Sequence, residues 1–76
     1  MVTAYVMIKA NTGAADRLVD EIDTIEGVQE THIVAGDVDL IAKVEVETPG
    51  EVKDVAAASI QAIDGVESTR TYIAMG

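Results

Sequence analysis

Apolar and polar residues alternate along Val2 to Lys9, with Val2, Ala4, Val6 and Ile8 on one side and Thr3, Tyr5, Met7 and Lys9 on the other. A period of two belongs to a strand with one apolar face. Asn11-Thr12-Gly13 breaks the pattern, and the period then lengthens. Leu18, Val19, Ile22 and Ile25 recur at helical spacing, with Asp16, Asp20, Glu21 and Asp23 between them. This predicts an amphipathic helix from about Ala14 to Ile25, closed by Gly27. Val28 to Val34 reads as a second strand and Leu40 to Val46 as a third, joined as an antiparallel hairpin through Ala35-Gly36-Asp37. Thr48-Pro49-Gly50-Glu51 opens a second helix: Thr48 caps it, Pro49 suits its first position, and Glu51 completes a capping box. Val52, Val55, Ala56, Ser59, Ile60 and Ile63 make its expected buried stripe. Gly65 ends it, and Val66 to Met75 is the last strand.

The order strand, helix, strand, strand, helix, strand is that of the split βαβ, ferredoxin-like α+β fold, a four-stranded antiparallel sheet with two helices on one face. The two halves echo each other. Ile25-Glu26-Gly27-Val28 and Ile63-Asp64-Gly65-Val66 both run from a helix through an acid and a glycine into a strand. Two copies of one helix-to-strand joint account for the echo without any chemistry. With both helices on one face, the other face is bare and presents side chains such as Tyr5 and Met7. A partly apolar bare face on a domain of 76 residues predicts self-association, at least to a dimer.

Composition narrows the function. With 14 acids against 5 bases the formal net charge is −9, which argues against direct nucleic-acid binding, because phosphate contacts need basic residues. The bases Lys9, Arg17, Lys43, Lys53 and Arg70 are scattered along the chain. Cysteine is absent, so there is neither a disulfide scaffold nor a thiolate metal site. No apolar run approaches the roughly 18 residues of a membrane span, and Met1-Val2-Thr3 leads into a strand rather than a signal peptide. A cytoplasmic protein is expected. Many acids with small apolar residues, few lysines and no Phe or Trp suit work in high salt, where screening tolerates self-repulsion.

Catalytic signals are sparse. His32 is the single histidine, and a lone histidine on a strand is more often structural or on the surface than catalytic. Asp37 and Asp39 make only a weak case for a cation site, since 14 acids in 76 residues produce chance pairs; no glycine-rich phosphate loop is present, and two tyrosines are too few for a base-stacking platform. No cofactor or metal is expected. The turn Gly36-Asp37-Val38-Asp39 is left with two readings. Gly36 and Asp37 make the turn while Asp39 starts the strand by bonding a backbone N–H. Alternatively, turn N–H groups receive a carboxylate and the acid receives an ammonium, which together suit a zwitterionic amino acid.

The stretch Val34-Ala35-Gly36-Asp37-Val38-Asp39-Leu40-Ile41-Ala42-Lys43-Val44 resembles the G-x-x-D hairpin of the Lrp/AsnC family's C-terminal RAM domain. The tail Ile63-Asp64-Gly65-Val66-Glu67-Ser68-Thr69-Arg70-Thr71-Tyr72-Ile73-Ala74-Met75 resembles the same family's P-G-V-x-x-T-x-T segment, and the likeness extends over nearly the whole chain. It departs at Glu26 and Asp64, where the family often has proline before the glycine. The resemblance implies an effector-binding domain that pairs through its sheet, assembles further into rings of dimers, and binds amino acids or related small metabolites in clefts between subunits. It implies ligand contacts at Gly36, Asp37, Val38, Asp39, Thr69 and Thr71. Family regulators carry a helix-turn-helix domain ahead of this one. This sequence begins at the first strand of the RAM domain, so a stand-alone RAM protein is expected, one that senses a metabolite without catalysis and co-assembles with full-length Lrp/AsnC regulators. Two other functions compete with it: a small dimeric ferredoxin-like enzyme of monooxygenase type, and a structural oligomer without ligand.

Overall fold

A computed structural model describes residues 1–11 and 13–76; Thr12, in the expected Asn11-Thr12-Gly13 break, lies outside the described residues. The elements follow the expected order: β1 (Val2–Ala10), α1 (Ala15–Asp23), β2 (Val28–Ile33), β3 (Leu40–Val46), α2 (Pro49–Lys53) with a π-helical continuation (Asp54–Ile60), and β4 (Val66–Ile73). The sheet order is β2-β3-β1-β4, and every neighbouring pair is antiparallel. This is the ferredoxin-like α+β arrangement.

The core forms where three apolar patterns meet. Ala4, Val6 and Ile8 of β1 and Leu40, Ala42 and Val44 of β3 lie side by side and are fully buried. Leu18 and Ile22 of α1 cover them, as do Val52, Val55, Ala56 and Ile60 of the second helix. Alanines at the centre of the sheet leave room for the larger helix residues to reach the backbone, as close packing requires. Each fully buried Val, Leu or Ile contributes about 1.5–3 kcal/mol. Among the described residues no polar or charged residue is buried.

Several details differ from expectation for local reasons. Helix α1 stops at Asp23 rather than Ile25, because the Thr24 hydroxyl donates to the Glu21 carbonyl at 2.7 Å and the Ile25 N–H donates to Ile22 O at 3.0 Å, tightening the last turn. Strand β2 stops at Ile33, one residue early, so the hairpin connection runs from 34 to 39 and is closed by a Val34 N–H to Asp39 O bond of 2.9 Å. Strand β4 ends at Ile73 rather than Met75. Ala4 pairs with Ile73, and after the Ala74 N–H bond to Thr3 O at 2.8 Å little of β1 remains to pair with. The second helix widens after Lys53 into π geometry, with the Gln61 N–H reaching Ala56 O at 3.3 Å. A wider turn advances each residue by a smaller angle, so Ser59, expected in the buried stripe, is exposed, while Ile60 stays in the core. The start of that helix is as expected: the Thr48 hydroxyl accepts from Glu51 N–H at 3.3 Å, and the Glu51 carboxylate takes the Thr48 and Glu47 N–H groups.

The echoed joints share one backbone device. Gly27 and Gly65 have φ of 98° and 106°, a region that side chains with a Cβ rarely adopt. At Gly27 a Cβ would also stand 3.0 Å from Val46 Cγ1 and 3.4 Å from Val55 Cγ2. The first helix is pinned to the second joint by Arg17, which donates to Asp64 O at 2.7 Å and to Glu21 Oε2 at 3.0 Å.

Candidate functional site

The face of the sheet away from the helices follows from the register. Tyr5 pairs with Tyr72, Met7 with Arg70 and Lys9 with Ser68 across β1 and β4, while Lys43 pairs with Tyr5 and Glu30 on the other side. These residues share parity opposite to Ala4, Val6 and Ile8, so they all lie on the bare face. Tyr5 and Tyr72 are 38% and 51% exposed, a directly opposed aromatic pair in contact with solvent. The bases, scattered in sequence, are not scattered in space: Lys9, Lys43 and Arg70 fall on this face, whereas Arg17 and Lys53 belong to the helices.

An open depression of about 670 Å³ lies at one end of this face, between the hairpin connection and β4. Asp37 and Val38 form its rim, Lys9 and Met7 come from β1, and Arg70 and Tyr72 from β4, with Ser68 and Thr69 beside them. This volume lies within the range of small-molecule sites. Lys9, Arg70 and Asp37 take part in none of the ion pairs formed among the described residues.

The six residues implied as ligand contacts separate here. Asp37, Val38 and Thr69 border the depression. Gly36 is exposed at the turn but does not line it. Thr71 sits opposite Val6, on the helix side, and with Thr69 borders a second groove of about 340 Å³ against Val52, Ala56 and Gln61. The Thr69 hydroxyl is held there, accepting from Gln61 Nε2 at 2.7 Å.

Asp39 is occupied by the fold. Its N–H donates to Ile8 O at 3.0 Å and its carbonyl accepts from Val34 N–H at 2.9 Å. Its carboxylate accepts the Ala10 N–H at 2.8 Å. Strand β3 begins only at Leu40, opposite Ile8, so the β1–β3 ladder would stop short of Ala10. The Asp39 side chain supplies the missing acceptor just where the pairing of β1 with β4 shifts register between Lys9 and Ala10. The second acid of the turn is therefore a strand-end cap that orders the loop, and Asp37 is the acid that faces the depression.

Lys9, Met7, Arg70 and Tyr72 were missed by reasoning from the hairpin and the threonines. The alternation of β1 and the adjacency of first and last strands in a βαββαβ sheet were the signals that could have placed them together. Elsewhere on the bare face His32 Nε2 contacts Glu30 Oε1 at 2.8 Å, and this hydrogen bond draws the Glu30 carboxyl below its usual value. Among the described residues no group of three or more His, Asp and Glu side chains is placed to hold a metal ion, and no helix is long and apolar enough to cross a membrane.

A two-layer α+β domain with a small-molecule-sized depression on an uncovered sheet is the class that this geometry defines. The family model of the Lrp/AsnC ligand binding domain matches residues 3–76, and the chain belongs to that family. It is 31% identical over 74 residues to the leucine-responsive regulatory protein of Klebsiella pneumoniae, a match that covers 93% of this chain and 45% of that protein. The chain thus spans about half the length of the curated relatives it matches. Among solved structures, TTHA0845 from Thermus thermophilus superposes with a TM-score of 0.95 at 33% identity, covering 100% of this chain and 95% of that one. The transcriptional regulator NMB0573 of Neisseria meningitidis, solved as a complex with L-methionine, shares the fold at a TM-score of 0.87 with 9% identity, covering 99% of this chain and 50% of that one.

Proposed function

We propose that the protein is a non-enzymatic sensor that binds an amino acid or a related small metabolite in the depression beside the hairpin and self-associates through the bare sheet face. The observation that carries this reading is the convergence of Asp37, Lys9 and Arg70, three charged groups without ion-pair partners among the described residues, around one ligand-sized hollow. Asp37 offers an anion to an ammonium, and Lys9 and Arg70 offer cations to a carboxylate. The family and the methionine complex of a protein with the same fold support an amino acid as the ligand class.

The bare face supports assembly. Most of the acids lie in the helical layer and the loops, whereas the sheet face sets Lys9, Lys43 and Arg70 against Glu30 and Glu45. Two copies can then approach sheet to sheet without meeting the full repulsion of a chain of net charge −9. The same surface is the one through which a full-length Lrp/AsnC regulator would co-assemble, and rings of dimers are a further stage of the same assembly. Ligand acts by differential affinity for the assembly states.

A thermal-shift screen against the amino acids, in high salt and with light scattering alongside, tests this. Selective stabilisation by one ligand class, with a change in assembly size, is expected, since a ligand of the folded state raises the melting temperature by mass action. A stable oligomer that no amino acid or related metabolite stabilises overturns the sensing reading.

A further inference from the structure

We infer that the depression takes an acidic amino acid, a ligand with two carboxylates and one ammonium, rather than a neutral one. The inference rests on the effector-binding reading above and names the ligand class of that site.

Lys9 and Arg70 are diagonal neighbours on the bare face, because Lys9 pairs with Ser68 and Met7 with Arg70. Such diagonal positions lie roughly 7–8 Å apart, within the reach of two long side chains around one small molecule. Among the described residues neither cation forms an ion pair, in a chain with 14 acids and 5 bases. In so acidic a chain, two adjacent cations without partners are the least expected arrangement. They repel each other, and Asp37, the single carboxylate on the lining, balances only one of them.

The lining therefore carries two positive charges and one negative. An acidic amino acid carries the reverse. A neutral amino acid would leave one of the two cations without an anion, so it gains less than a ligand that pairs both. The guanidinium of Arg70 can take a carboxylate through two parallel N–H bonds, whereas Lys9 supplies a point charge and Ser68 a hydroxyl. Met7, Val38 and Tyr72 supply the apolar part of the lining, against which the methylenes between the charged ends can pack.

Isothermal titration at fixed ionic strength would use L-glutamate and L-aspartate against L-glutamine, L-leucine, L-methionine and 2-oxoglutarate. One of the acidic amino acids is expected to bind about ten-fold or more tightly than the neutral ones and than 2-oxoglutarate, which lacks the ammonium. Arg70→Gln and Lys9→Gln, both exposed positions whose folding is checked by circular dichroism, should each weaken that ligand by about ten-fold. Asp37→Asn should bring glutamate and 2-oxoglutarate to similar affinities. Tighter binding of a neutral amino acid overturns the acidic class and leaves the sensor reading standing. Acidic-ligand binding that ignores all three substitutions overturns the placement in this depression. No binding by any of these ligands to the folded protein counts against both.

Discussion

Ala4, Val6 and Ile8 are completely buried on one side of β1, while Tyr5, Met7 and Lys9, each one residue further along, face away from the helices. The same nine-residue strand thus serves two surfaces with opposite requirements. On the helix side every buried side chain is apolar and the constraint is volume. On the bare side aromatic, thioether and cationic groups stand together, and an acidic chain places there more than half of its bases, Lys9, Lys43 and Arg70. The first face explains why the chain folds. The second leaves a mixed aromatic and cationic surface uncovered by the fold.

Neighbouring residues of β1 give the strongest way to break that contrast. Ile8→Ala leaves a cavity in the core beside Leu40, its partner on β3, and should cost about 2–5 kcal/mol in denaturant unfolding. Met7→Ala removes a side chain of similar size but should change the stability of the dilute monomer by less than about 1 kcal/mol, acting instead on assembly size in light scattering. Equal losses in both, with no change in assembly size, would show that the two faces are not distinct.

The two aspartates of the hairpin connection sharpen the same contrast at a smaller scale. Asp39→Ala strands the Ala10 N–H at the end of the β1–β3 ladder and should lower stability by about 1–3 kcal/mol without any ligand present. Asp37→Ala removes an exposed carboxylate and should stay within about 0.5 kcal/mol. Urea denaturation of the two variants checks both. A larger loss for Asp37 than for Asp39 would reverse their assignment as depression-facing and loop-ordering groups. Because Asp39 holds the fold, ligand loss in its variants reports on the loop as much as on the site.

Local patterns were legible and long-range ones were not. Alternation located β1, the glycines of the echoed joints located both helix ends to within a few residues, and Thr48 to Glu51 read as a capping box because each cue acts within one turn of chain. Ser59 was misplaced because apolar spacing assumes the α-helical angle, and the π-helical stretch after Lys53 departs from it. The depression was half-read. Asp37 and Val38 belong to a local motif, but Lys9 and Arg70 meet only through the register of the first strand with the last. Thr71 was placed with Thr69 by their shared strand and motif, yet alternation turns it to the helix side along with Thr69's own hydroxyl. The two roles of the aspartates could not be told apart in sequence, since the acceptor that Ala10 lacks appears only once β3 is seen to begin at Leu40.

Titration offers the mildest probe of the contrast, because the core side contributes nothing to it: no ionisable group is buried there among the described residues. On the bare face Glu30 is drawn below its ordinary value of 4.5, chiefly by the hydrogen bond from His32. Desolvation opposes this shift, and the charges of His32 and Lys43 add to it. A carboxyl whose folded value lies below its unfolded one adds stability that is fully present above the unfolded value. That contribution is lost as the pH falls through the depressed folded value. Both side chains are well exposed, so the change in folding stability should be too small to separate from the acid titration of the other surface carboxylates. The carboxyl carbon of Glu30, followed by NMR, is the better reporter. Its midpoint should lie lower in the wild-type protein than in His32→Ala, where it should return toward the ordinary value. An unchanged midpoint would mean that the pair at the β2 edge does not persist in solution, and would remove the one interaction seen between ionisable side chains of that edge strand.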